Sequence, residues 1–125
     1  MIAARSAPAG VRMGLLALLL GACASLPPEK PVTSVNDIVG DWRGTIQFGS
    51  GPFQFVDVSI KPDATMTMVW GINTRWGRVA AVNGRAAFDL EIWTGTIYHL
   101  EGPKGRFLLL QANFNVFNAQ VSPVR

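Results

Sequence analysis

From Asp41 to Ser122 apolar and polar residues alternate with a period of two, and turn-forming clusters interrupt the alternation. The clusters are Gly49-Ser50-Gly51-Pro52, Pro62-Asp63, Gly71-Ile72-Asn73, Asn83-Gly84, Thr94-Gly95, Gly102-Pro103-Lys104-Gly105 and Asn113-Phe114-Asn115. Their spacing of about ten residues is that of a β-sandwich or barrel. They delimit eight strands, expected at residues 41–48, 53–60, 64–70, 74–82, 85–93, 96–101, 106–112 and 116–122. Trp42, Gly44, Ile46 and Phe48 share one face of the first strand. Val56, Val58 and Ile60 oppose Asp57 and Ser59 in the second, and Met66, Met68 and Trp70 oppose Thr65 and Thr67 in the third. One apolar and one polar face is the pattern of antiparallel sheet. No helical period with caps follows the N-terminal segment.

Asn83-Gly84 is the sharpest local signal, because a two-residue type I′ turn needs positive φ at both positions. A turn centred there sets Phe88 opposite Val79, Leu90 opposite Gly77 and Asp89 opposite Arg78. In this register Ala86, Phe88, Leu90 and Ile92 point inward, while Trp76 and Trp93 point outward. Further on, Tyr98 and Leu100 are assigned inward, away from His99 and Glu101. The expected fold is all-β: a small eight-stranded antiparallel up-and-down meander over residues 37–125. Closing it into a barrel removes its exposed edges. Such an interior is just wide enough to be filled by side chains or to hold one small ligand. The bulk of the inward set predicts a filled one.

The N-terminus reads differently. Arg5 and Arg12 precede an uncharged run from Met13 to Ala22, about half the length of a bilayer-spanning helix. A positive start, a short apolar stretch and a small-residue end form a secretory signal over residues 1–22. The run closes on Leu20-Gly21-Ala22-Cys23, which resembles the lipobox of bacterial lipoproteins. That resemblance implies cleavage before Cys23, a lipid on its thiol and an acylated amine. It also implies an exported protein held to the cell envelope through its N-terminal lipid, because several acyl chains make a lasting anchor. Ala24 at the next position favours the outer membrane, facing the periplasm. Residues 23–36, rich in proline, are expected to be an extended tether.

Gly40-Asp41-Trp42 resembles the G-x-W that opens lipocalins and related eight-stranded barrels, and also the small secreted barrels that inhibit bacterial metalloproteases. The likeness implies that Trp42 plugs the closed end of the barrel as a core residue. The Thr-Asp-x-x-Tyr motif of lipocalins is absent.

Composition narrows the function classes. The chain of 125 residues carries a formal charge of +3. Removing residues 1–22 removes Arg5 and Arg12 and leaves +1, so a nucleic-acid partner is not expected. With one cysteine and one histidine, neither a disulfide framework nor a zinc site of cysteines and histidines can be built. No cofactor or metal is expected. His99 is read as exposed, without a positioned nucleophile near it in sequence. Asp89 and Glu91 are read as a solvated outer face. Arg75, Trp76 and Arg78, with Trp93 nearby, form a basic-aromatic group able to bind a glycan or an acidic partner by stacking and charge. Phe53 and Phe55 fall on the outer face. Either a bulge turns them inward, or they are exposed at a rim and mark a partner or membrane contact.

These features point to a non-enzymatic lipoprotein acting as a binding or envelope-structural module, with an envelope protein, a glycan or a small apolar molecule as ligand. The alternatives are an inhibitor of a protease or lysozyme and a carrier of a small apolar ligand. Cys23→Ser should abolish labelling by radioactive fatty acid and release the protein into the soluble exported fraction. Unchanged partition with membranes would exclude the lipoprotein assignment.

Overall fold

The computed structural model describes residues 27–124. The leader, the lipobox and Cys23 lie outside the described residues. In chain order the elements are β1 (Glu29–Lys30), a 3-10 helix (Val35–Ile38), β2 (Gly40–Phe48), β3 (Phe53–Ile60), β4 (Thr65–Trp70), β5 (Asn73–Val82), β6 (Arg85–Leu90), β7 (Trp93–Gly102), β8 (Gly105–Ala112), a 3-10 turn (Asn113–Asn115) and β9 (Phe117–Pro123).

Strands β2 to β9 each pair antiparallel with their neighbours in sequence, and β9 returns to pair with β2. The result is a closed, lipocalin-like up-and-down barrel of eight strands. The Asn83-Gly84 hairpin has the expected register, with Val79 opposite Phe88 and Arg78 opposite Asp89. Turns 49–52, 71–72, 91–92 and 113–116 lie at one end, the open pole. Turns 61–64, 83–84 and 103–104 lie at the other end with the N-terminal segment, which straps across it; this is the strap pole.

Alternate residues fill the interior. Ile46, Val58, Met68, Leu90, Leu110 and Phe117 are among the side chains buried in one continuous core. Strands wound this tightly need backbone-to-backbone contact at three points, one of them Gly95 against the Gln111 carbonyl. A methyl group on Gly44 would run into the carbonyl of Gln120, and one on Gly77 into that of Asp89. All three glycines admit the neighbouring strand where any side chain would hold it off.

Three expectations are corrected. First, the hairpin expected at Thr94-Gly95 turns earlier, at Glu91-Ile92, with Glu91 in the left-handed region at φ 67°. Leu90 then pairs with Trp93, so Trp93 points inward and Ile92 outward, the reverse of the sequence reading. Gly95 is not a turn residue; it makes room for the Phe88 ring, which a Cβ there would strike.

Second, His99 faces inward, opposite the core residue Leu108, and it is 3% exposed. Tyr98 and Leu100 face outward instead, where Leu100 is buried beside β1. Strict alternation misassigned these positions because this flank of the barrel is itself covered.

Third, the expected tether is part of the body from Pro28 onward. The Glu101 N–H donates to the Pro28 carbonyl and the Val32 N–H to the Gly84 carbonyl. Arg85 forks onto the Glu29 carboxylate with contacts of 2.7 and 2.9 Å.

The strap seals its pole. Ser34 caps the 3-10 helix by accepting from the Asn36 N–H, while the Asp37 carboxylate accepts from the Thr33 and Ser34 N–H groups. These bonds hold the Asp37 carboxyl below its ordinary range. Val32 and Ile38 cover the core. Trp42 is buried beneath them and donates its indole N–H to the Ile38 carbonyl at 3.0 Å. The Arg106 guanidinium lies 5.0 Å above the indole and donates to the Asp37 carbonyl at 2.9 Å. Trp42 therefore plugs the closed end. Trp42→Ala should cost about 3–5 kcal/mol. An unchanged midpoint in denaturant would show that the ring is not core.

Candidate functional site

The basic-aromatic group expected from the sequence does not form one surface. Odd positions of β5 face inward and even positions outward, as the burial of Val79 and the pairing of Arg75 with the core residue Met68 require. Arg75 therefore lies at the mouth of the open pole with its guanidinium 5.4 Å from the centre of the Trp93 ring. Trp76 is exposed on the outer wall opposite Thr67, and Arg78 reaches the Asp63 carbonyl from the same wall. Arg75 and Trp93 are brought together; Trp76 and Arg78 are directed away from them.

The mouth is closed by rings. Phe48, Trp70, Trp93 and Phe117 pack with centroid distances of 5.3–5.8 Å. Such tilted and edge-on packing is the favourable geometry for aromatic quadrupoles. Arg75 covers this cluster and pairs with Glu91 at 3.6 Å, while its Nε is buried without a hydrogen-bond partner among the described residues. The open pole thus presents a filled surface and not a pocket.

Around this mouth the hairpins carry apolar side chains outward. Phe53, Phe55, Ile72, Ile92 and Phe114 expose between 66% and 101% of their area. They account for five of the eight large hydrophobics exposed among the described residues, so the exposure is concentrated at one pole and not scattered. The ladder from Phe53 to Val56 against β2 is regular. No bulge turns Phe53 and Phe55 inward, and they are exposed at the rim.

Phe114 is unusual twice over. It is held at φ 62° and ψ 24°, a left-handed conformation uncommon for a bulky residue, and its ring stands in water. The sequence carried a signal for Ile72, Ile92 and Phe114: each is a large apolar residue inside a turn, where Gly, Asn, Asp or Ser is the usual choice. Among the four turns of this pole the only charge is Glu91, already paired with Arg75. At the opposite pole Lys61, Asp63 and Lys104 occupy the turns, and the strap adds Glu29, Lys30 and Asp37.

The strap pole holds the one histidine. Arg106 Nη1 lies 3.5 Å from His99 Nε2, and Nδ1 is buried without a partner among the described residues. Burial, then the charges of Arg106 and Lys30, push the His99 pKa below its ordinary value, against smaller opposing effects of Asp37 and Glu101. His99 lines a cavity under the strap together with Lys30, Thr33, Asp37 and Arg106. Among the described residues no group of three His, Cys, Asp or Glu side chains is placed to hold a metal ion. Comparison with protein-family models, curated proteins and solved structures finds no match to this chain.

Since the folded state disfavours protonation of His99, the unfolded chain takes up a proton first as pH falls below 6.5. Stability should be full above that value and decline progressively below it as the folded pKa is approached. His99→Leu should flatten the unfolding midpoint between about pH 7 and pH 5. The slope of the parent persisting in this variant would assign the acid sensitivity to another group.

Proposed function

We propose that this protein is an exported, lipid-anchored, non-enzymatic binding module of the cell envelope and that the open pole is its recognition surface. The observation that carries the reading is the concentration of exposed Phe53, Phe55, Ile72, Ile92 and Phe114 at that pole. Exposed apolar side chains are ordinary when single, whereas a grouped set marks a contact surface. The lipid anchor rests on the Leu20-Gly21-Ala22-Cys23 resemblance, and the N-terminal chain joins the body on the flank of the strap pole. Anchor and recognition surface then occupy different parts of the barrel, leaving the open pole free to meet a partner.

The alternatives fit less well. A carrier of a small apolar ligand needs interior space that the packed core occupies. An inhibitor of a protease or lysozyme needs the N-terminal segment or a loop to project; from Pro28 the segment is bonded to β7 and to the Asn83-Gly84 turn, which leaves the loop form of that reading.

Hydroxyl-radical footprinting on intact envelopes tests the surface without knowledge of the partner. Phe53 and Phe114 should be oxidised several-fold less in the envelope than in dilute purified protein, while Trp76 on the side wall should react equally in both. Equal oxidation of all three in both settings would mean that the pole is unoccupied and would remove the reading.

A further inference from the structure

We infer that the occupant of the open pole is the open pole of a second copy of this chain, giving a pole-to-pole dimer. The inference rests on the reading of that pole as a recognition surface and adds its partner.

Three observations lead there. The first is area. Three phenylalanine rings exposing 66–96% of themselves present on the order of 500 Å2, at roughly 150–250 Å2 for each large ring, and Ile72 and Ile92, 101% and 72% exposed, bring the patch to on the order of 700 Å2. Two such poles face to face would withdraw on the order of 1,400 Å2, within the roughly 1,200–2,000 Å2 of a specific interface.

The second is charge. An isologous contact brings each patch against its own image, so a net charge on the patch would repel itself. Glu91 and Arg75, the charged pair at this pole, neutralise each other at 3.6 Å. The turns and strap of the other pole keep Lys61, Asp63, Lys104, Glu29, Lys30 and Asp37, and these would face their own images in a contact there.

The third is the shape of the mouth. Phe48, Trp70, Trp93 and Phe117 fill it, so the occupant must be a surface laid across the end and not a molecule inserted into it. Where the chain enters is compatible with this arrangement. Residues 23–27 span at most about 14 Å when extended, and Pro27 lies beside Tyr98 and Leu100 on the flank of the barrel. Two barrels lying end to end along a membrane, with the twofold axis normal to it, would direct both flanks to the lipid.

The test uses the chain from residue 23 with Cys23→Ser, which retains every described element, in detergent-free buffer. Sedimentation should show a monomer–dimer equilibrium, and Phe114→Asp with Ile72→Asp should raise its dissociation constant at least tenfold. Both residues are exposed, so the unfolding midpoint should stay near that of the parent. Ile72→Cys in this otherwise thiol-free chain should cross-link two copies on mild oxidation, while Lys104→Cys at the strap pole should not.

A protein monomeric up to millimolar concentration, or a dimer that cross-links through position 104, overturns the inference. A monomer that floats with phosphatidylcholine vesicles through Phe114 and Ile72 overturns it in favour of a lipid surface. Footprint protection of Phe53 and Phe114 on envelopes would survive either result, so the second copy can fail while the recognition surface stands.

Discussion

The pairing of the first barrel strand with the last is the contact on which the rest of the structure depends. β2 and β9 align from Phe48 opposite Phe117 to Trp42 opposite Pro123, and this seam turns a twisted sheet with two edges into a wall with none. Only then does every alternate side chain face a common axis, where bulky residues exclude water and stabilise one another. Closing so small a circle forces the strands to coil, and Gly44 against β9, Gly77 against β6 and Gly95 against β8 are the points at which backbones touch. The seam also places Trp42 at the end of the barrel, within reach of the Ile38 carbonyl and of Arg106 on β8. Closure, core and strap are one cooperative arrangement, because removing the seam would leave Trp42, Arg106 and Asp37 without each other.

The two ends are finished by different chemistry. At the strap pole polar groups are placed in pairs: Ser34 and Asp37 satisfy the start of the 3-10 helix, Arg106 satisfies its exit, and Arg85 clasps Glu29. At the open pole the aromatic mouth is filled from within, and the tips carry apolar side chains that are largely exposed. An end designed only to be soluble would place Asn, Asp, Ser or Gly in these turns. Phe114 in a left-handed conformation and Ile72 standing free are the features on which the proposed recognition surface rests.

Much of the fold was legible in the sequence because a half-buried strand writes its environment in every second residue. Trp42, Ile46, Val58, Met66 and Met68 were assigned inward and are buried, and Asn83-Gly84 fixed its hairpin to the residue. Legibility ended where one residue type serves two purposes. Gly95 looked like a turn and is the floor under Phe88. Leu100 looked like core and is covered from outside by the strap, while its neighbour His99 takes the inner face. The candidate site was legible only in part. Arg75 and Trp93 do meet, but at the mouth and facing inward, while Ile72, Ile92 and Phe114 had been absorbed into turns and read as punctuation.

By itself the sequence determined the local rules: a period of two, turns at regular intervals, and a nearly neutral, cysteine-free body after residue 23. Those properties are written in neighbours along the chain, within reach of a single hairpin. Only the tertiary structure decided that β2 closes on β9, that the proline-rich segment is a strap, and that apolar tips from four separate hairpins share one end. These are relations between residues dozens of positions apart. Alternation specifies which face a side chain takes, but only closure specifies which side chains share a pole.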